Sequence, residues 1–358
     1  MTFIRLASAL GVLLMAGALV PAAAVSAPAR PADTNPLAGL SFYVDHESPS
    51  WLEWEHLTRS GQRAKADLIW KIAREPKAVW VGRFTSPNFN VKVRRILDGA
   101  ESQGQVPVLT VLRAQSTGCN PSYDGGGPAE DARTRAWYDD LARAIGDERV
   151  VIAYEPDSLG TIECLKRSRR DDRLRLLRYG VDALSRNPNA TIYIEAGASD
   201  WQGATHMAPK LRAVGIAKVR GFMLNATHND WTRNNIRFGV ELSRLVDGKH
   251  FIINTAENGR GGIHKRLPNG RRITVWCNPP RRGLGPPPTT DTSNPMADAY
   301  LWINRPGYAQ RCQGRKIAWF APRALAYARH ATRWESPPRG TRFGYRKRYP
   351  FSVFAGSR

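Results

Sequence analysis

Seven short apolar runs, at 40–44, 78–82, 106–112, 150–154, 191–195, 221–224 and 251–254, are separated by longer amphipathic stretches. The runs are rich in β-branched and aromatic residues and most stop at a turn former, which is the pattern of buried strands. Between them, 51–74, 91–103, 129–145, 170–185, 207–214 and 231–246 repeat apolar residues at helical spacing. Strand and helix in alternation predict βαβ units around a parallel sheet, and this number of runs predicts a closed or nearly closed barrel in one domain. No fixed-period repeat and no linker interrupts the body. The rhythm breaks after Asn254: residues 259–295 are rich in Gly, Pro, Asn and Arg, as in a lid or binding loop. A strand-like run at 298–303 and a helix at 321–332 close the body.

The ends read differently. Residues 1–27 combine one early Arg, an apolar core and small residues, a secretory signal cleaved after Ala24 or Ala27. A membrane anchor is the alternative, but the apolar core is short for a span of ~20 residues and no other stretch qualifies. Residues 28–39 form a Pro/Ala-rich flexible lead, 40–335 the barrel, and 336–358 a basic tail. The mature chain is expected to be a soluble, extracellular monomer. Its 4 cysteines, Cys119, Cys164, Cys277 and Cys312, fit two disulfides in an oxidising compartment. Zinc is the other use for them, but no C-x-x-C spacing is present, and no metal or cofactor is expected.

The charge widens the list of partners. Lys and Arg number 53 against 31 Asp and Glu, a net charge of +22. That balance attracts polyanions: nucleic acid, anionic wall polymers or acidic polysaccharides. The basic residues are scattered, apart from 166–178 and 339–358, and no nucleic-acid motif occurs, so an exported chain is expected to bind no nucleic acid.

Candidate chemistry concentrates where the fourth apolar run ends in Glu155-Pro156-Asp157-Ser158-Leu159. Catalytic side chains of α/β barrels sit at such strand ends, which marks Asp157 as a working acid. On these residues alone a helix cap is the commoner role. The weighing changes when more of the chain is included. Phe42-Tyr43-Val44-Asp45, Ala78-Val79-Trp80-Val81-Gly82, Glu155-Pro156-Asp157-Ser158-Leu159, Tyr193-Ile194-Glu195-Ala196-Gly197, Gly221-Phe222-Met223-Leu224-Asn225, Gly248-Lys249-His250-Phe251, Trp276-Cys277-Asn278-Pro279-Pro280 and Asp298-Ala299-Tyr300-Leu301-Trp302 stand in order. As a set they resemble glycoside hydrolase family 6, secreted cellulases acting on β-1,4-glucan.

The resemblance implies a distorted parallel α/β barrel of TIM-like type, the pairs Cys119–Cys164 and Cys277–Cys312, and inverting hydrolysis. In that reaction one carboxylic acid protonates the leaving oxygen while a water attacks the opposite face of the sugar. Asp157 matches the family's proton donor. Trp80, Trp201 and Trp276 match sugar-stacking positions and Asn225 a sugar-binding asparagine, so a polysaccharide is the implied partner. An indole face suits the C–H face of a glucose ring, although core packing is the ordinary use of a Trp.

Several positions depart from the family. Gly118 replaces an aspartate that perturbs the donor, and Leu112 a tyrosine. In the loop 304–312, Asn304, Tyr308 and Gln310 replace a lysine, a glutamate and a disputed catalytic aspartate. Glu195 replaces an aspartate, Ala198 a histidine and Glu257 an arginine. If the chain hydrolyses glucan, Asp157 is the acid, with Glu195 or Asp124 as a supporting carboxylate. Asp124 lies in a Gly-rich stretch where an ordinary Asp-Gly turn is the commoner role. If it does not, a degenerate glycan-binding protein has kept the Trp-lined cleft. Arg281, Arg282 and Arg311 suggest a third outcome, a cleft adapted to an anionic polysaccharide.

Overall fold

The computed structural model describes residues 34–82, 89–114, 127–270, 272–310 and 318–331. Seven parallel strands form one sheet in the order of the sequence: β1 (Val79–Gly82), β2 (Val108–Leu112), β3 (Val150–Tyr154), β4 (Ala190–Glu195), β5 (Gly221–Leu224), β6 (His250–Asn254) and β7 (Ala297–Leu301). Helices α3 (Phe89–Ser102), α4 (Pro128–Ile145), α5 (Arg167–Leu184), α6 (Ala204–Ala213) and α7 (Thr232–Leu245) connect successive strands. Their apolar faces cover the outside of the sheet.

Each strand divides its side chains between two cores. In β3, Val150, Ile152 and Tyr154 pack with the helices, while Val151 and Ala153 pack with Tyr193, Met223, Ile252 and Ala299 inside the curled sheet. Both faces are apolar because a parallel sheet of this kind is covered on both sides. The period of 2 then fixes which residues arrive inside at the carboxyl ends of the strands. Continuing the inner set places Glu195, Asn225 and Asn254 there, and all three are buried. Polar side chains thus crown an apolar barrel interior.

The sheet is curled and closes at one point. The backbone N–H of Ala78, just before β1, donates to the carbonyl of Trp302, just after β7, at 2.9 Å. The Trp80 indole N–H adds a second link across the same gap, to the Ile303 carbonyl at 2.9 Å. At the opposite ends of the strands, buried Asp298 accepts from Tyr193 at 2.7 Å, from Arg220 at 2.8 and 2.9 Å, and lies 3.0 Å from His250 Nδ1. One carboxylate therefore connects β4, β6, β7 and the residue preceding β5.

The observed elements correct several expectations. The run 40–44 makes only an isolated bridge, Phe42 to Val106, and the seventh strand of the sheet is β7 instead. The helical stretch 51–74 is two helices, α1 (Pro49–Arg59) and α2 (Arg63–Ala73), broken at Ser60-Gly61-Gln62, where Gly61 adopts φ +72°. The lead expected to be flexible is anchored from Asn35 onward: Asn35 donates to the Asp298 carbonyl at 2.7 Å and Leu37 is fully buried. The irregular segment 259–295 holds a short antiparallel pair, His264–Arg266 with Arg272–Thr274. The final helix, α8, spans Ala321–Arg329. The proposed signal and the basic tail lie outside the described residues, within which no helix is long and apolar enough to cross a membrane.

Asp298 gives a test of this scheme. Its ion pair and hydrogen bonds hold its carboxyl below the ordinary value against the opposing effect of burial. A depressed carboxylate stabilises the fold above its unfolded pKa and loses that contribution as pH falls through the folded value. Asp298→Ala removes the buried carboxylate partner of the half-buried Arg220 and is expected to cost about 3 kcal/mol in chemical denaturation at neutral pH, with a smaller difference in acid.

Candidate active site

Left-handed backbone shapes the end of β3. Glu155 and Asp157 take φ of 55° and 67°, conformations that cost non-glycine residues energy and concentrate at functional sites. The two carboxylates consequently diverge. Glu155 is buried and accepts from the N–H groups of Arg113 at 2.8 Å and Ala114 at 2.9 Å, and from Tyr138 at 2.6 Å and Ser158 at 3.2 Å. It clamps the end of β3 to the end of β2. Asp157 is the single residue from Val151 to Gly160 that reaches the surface.

Asp157 Oδ1 accepts a short hydrogen bond from Thr227 Oγ1. Burial pushes its carboxyl above the ordinary aspartate value, opposed by that hydrogen bond and by the nearby His228 charge. Its main chain is held in turn by Thr161, whose N–H and hydroxyl both donate to the Asp157 carbonyl, at 2.9 and 2.7 Å.

Glu195 supports this loop from the neighbouring strand. Its oxygens accept from the N–H groups of Leu159 at 2.9 Å, Gly160 at 3.2 Å and Gly197 at 2.6 Å. Burial, reinforced by the Asp157 charge, pushes this carboxyl up to about 7 despite the three amides. Glu195 is therefore next to the candidate acid and engaged in positioning its loop.

The loop after β5 supplies groups that the sequence reading passed over. His228 lies in the field of both Asp157 and Glu195, and its Nδ1 sits 2.8 Å from Asp200 Oδ1. Asp200 also accepts from Thr274 at 3.0 Å, and the His228 ring stacks on Trp201 with centroids 4.9 Å apart. Burial lowers the imidazole pKa, but Asp200, Asp157 and Glu195 together raise it above 6.5. Asp200, Asp230 and His264 each bring one possible ligand atom within 4.8 Å of the others. These atoms already hydrogen-bond or pair with His228, Thr274, Ser199 and Asn234, so the group reads as the mounting of His228.

Asn225 is turned inward. It is fully buried, its Nδ2 donates to the carbonyls of Asp230 and Asn254 at 3.2 and 2.9 Å, and its Oδ1 accepts from the Asp230 N–H at 3.2 Å. The strand carries it inward, where it braces the loop that holds His228. The polar run Ala226-Thr227-His228-Asn229-Asp230 directly after an apolar strand was the available signal.

The tryptophans differ in setting. Trp201 lies against Gly160 so closely that an added Cβ would meet its ring at 2.2 Å, and His228 covers one face. Trp80 carries the Arg305 guanidinium 5.1 Å from its ring centroid. Trp276 is half-buried beside the hairpin, next to Cys277. Gln310 is locked to Asn278: its Oε1 accepts from the Asn278 N–H at 3.0 Å and its own N–H donates to Asn278 Oδ1 at 2.8 Å. Cys164 and Cys277 are not free thiols. Asp124, Gly118, Arg311, Cys119 and Cys312 lie outside the described residues.

The comparisons place this geometry. Residues 37–317 match the model of glycosyl hydrolases family 6. The chain belongs to glycoside hydrolase family 6. It is 32% identical over 298 residues to endoglucanase A of Cellulomonas fimi, covering 82% of this chain and 62% of that protein. It thus spans less than two thirds of that relative. Endoglucanase 1 of a Streptomyces species is 29% identical over 338 residues, covering 88% and 90%. Among solved structures, the endoglucanase Cel6 from Mycobacterium tuberculosis, in complex with a thio-linked methyl-cellobiosyl cellobioside, superposes with a TM-score of 0.73 at 35% identity. That match covers 83% of this chain and 99% of the other. Endoglucanase CEL6B from Humicola insolens, at 18% identity and a TM-score of 0.69 over 84% of this chain and 99% of its own, agrees in fold. The seven-stranded curled sheet is this family's distorted barrel.

The mounting of His228 predicts a measurable shift. An imidazole with a raised pKa stabilises the fold below its unfolded value and loses that contribution as pH rises through the folded one. Asp200→Asn is expected to move the His228 titration, followed by NMR, to lower pH and to remove the added stability near pH 6; an unmoved titration excludes Asp200 as its anchor.

Proposed function

We propose that the chain is a glycosidase that hydrolyses β-1,4-glucan with inversion, and that Asp157 is its general acid. The observation that carries this reading is the position of Asp157: a carboxyl with a raised pKa, on left-handed backbone at a strand end, at the surface of an otherwise buried loop. Such a carboxyl retains its proton at a pH where an ordinary aspartate has lost it, and can deliver that proton to the leaving glycosidic oxygen. Thr227 fixes its direction and Glu195 its loop.

Water must attack the opposite face of the sugar and lose a proton as the bond to the anomeric carbon forms. Glu195 accepts three amides and Gln310 cannot take a proton, which leaves Asp124 as the carboxylate proposed for that relay. Trp80, Trp201 and Trp276 are assigned to the glycan. The proposal extends to export through the signal at 1–27 and to the disulfide pairs Cys119–Cys164 and Cys277–Cys312. Engagement of Glu195 and the loss of carboxylates at 118 and 310 favour one rival, a glycan-binding protein that has lost turnover.

Release of reducing sugar from soluble β-glucan by the mature chain separates the two. Asp157→Ala is expected to lower the rate ~10²–10⁴-fold without weakening glucan binding, and Asp124→Ala to lower it as well. The alkaline limb of kcat/KM is expected above the ordinary aspartate value near ~3.9, because the folded acid keeps its proton to higher pH. A mature chain that binds β-glucan and releases nothing at any pH would establish the rival.

A further inference from the structure

Arg305 follows the end of β7 and enters a slot between two aromatic rings. Its guanidinium carbon lies 5.1 Å from the Trp80 ring centroid and 4.2 Å from that of Tyr308. All three side chains are partly exposed, so the slot opens to solvent. Stacking orients a guanidinium but satisfies none of its N–H donors in the ring plane. Among the described residues its side chain has no hydrogen bond and no ion pair, and its Nε is buried without a partner.

Neither nearby acid makes an ion pair with Arg305. Glu257 accepts from Asn304 at 3.2 Å and lies 3.7 Å from Arg323; its Oε1 has no hydrogen-bond partner and its charge favours the Arg305 guanidinium, but burial pushes its carboxyl up to about 7, which weakens it as a counter-ion. Asp45 is held by both terminal nitrogens of Arg95, at 3.0 and 3.1 Å. The other charge close by has the same sign as Arg305: Lys92 donates to the Trp80 carbonyl at 3.0 Å, and Arg305 is among the groups that disfavour its ammonium form. A partly desolvated guanidinium that is stacked and makes no hydrogen bond or ion pair among the described residues gains when an anion arrives from outside. A sugar hydroxyl would fill one donor and leave the charge unanswered; a carboxylate or sulfate oxygen pair matches the planar fork.

We propose that the Trp80 end of the cleft is a subsite for an anionic sugar, whose carboxylate or sulfate group is bound by Arg305. This rests on the reading of the cleft as a glycan site and narrows its substrate from neutral glucan to an acidic β-1,4-glycan, a uronic-acid polymer or a sulfate ester.

Calorimetric titration of the mature Asp157→Ala protein, which binds without turnover, tests it with three probes of equal length: cello-oligosaccharide, its C6-oxidised glucuronate form and its 6-sulfated form. At least one charged probe is expected to bind ten-fold or more tighter than the neutral one at low salt, about 1.4 kcal/mol. The preference is expected to shrink as salt rises. Which charged probe gains identifies the group. Arg305→Met is expected to erase the preference while neutral binding changes less than about three-fold, and Arg305→Lys to keep part of it. Equal affinity for all three probes overturns the subsite, as does a preference untouched by Arg305→Met. If Arg305→Met does not fold, the probe comparison across salt decides alone. Neutral binding with no anionic gain sinks this proposal and leaves the glucanase reading intact; anionic gain in a chain that releases no sugar does the reverse.

Discussion

The architecture of the candidate site depends on buried carboxylates that take over where the sheet stops. Backbone pairing ends with β3 and β4, yet the chain must turn sharply and stay rigid if one acid is to be held in place. Glu155 and Glu195 receive the amides that the sheet no longer satisfies, two from the end of β2 and three around the loops after β3 and β4. Buried N–H groups are costly without partners, so these acceptors determine the path of the chain. The left-handed conformations at 155 and 157 persist because that frame over-determines them.

Such a frame also sets the electrostatics. Burying Glu195 beside Asp157 places two acids of raised pKa in one pocket, and His228 enters as a counter-charge oriented by Asp200. Three groups that titrate near one another share the protons of the site, so its charge belongs to the set and not to any single member. The clustering arises from side-chain alternation on β4 and from the turn after β5, since neither Asp200 nor His228 belongs to a strand.

Much of the fold was legible because periodicity is a local property. The runs from 150 to 254 became strands close to their expected bounds, whereas the division of their side chains between two cores emerged only in the structure. The error fell at a sheet edge: 40–44 and 298–303 have similar apolar character, but the first makes one isolated bridge and the second a ladder. The position of Asp157 at the end of a strand was legible from its motif. His228 was not, because Asn225 at φ 65° reverses the chain and hands the site to a residue three positions later, which strand counting cannot follow. Equally hidden was the consumption of Glu195 and Gln310 by backbone N–H groups, since a sequence records which acceptors exist and not which donors claim them.

One detail of the barrel has a mechanical meaning. Among the described residues, the first and last strands are joined by the Ala78 link and the indole bond of Trp80, where the other neighbouring strand pairs share ladders. Trp80 stands on one side of that seam and Arg305 on the other. A ligand that grips both works as a staple across the weakest line of the cylinder, and its binding energy is returned as resistance to opening there. On the proposed subsite, ligand binding and closure of the barrel are one event, so that a bound glycan would also tighten the barrel.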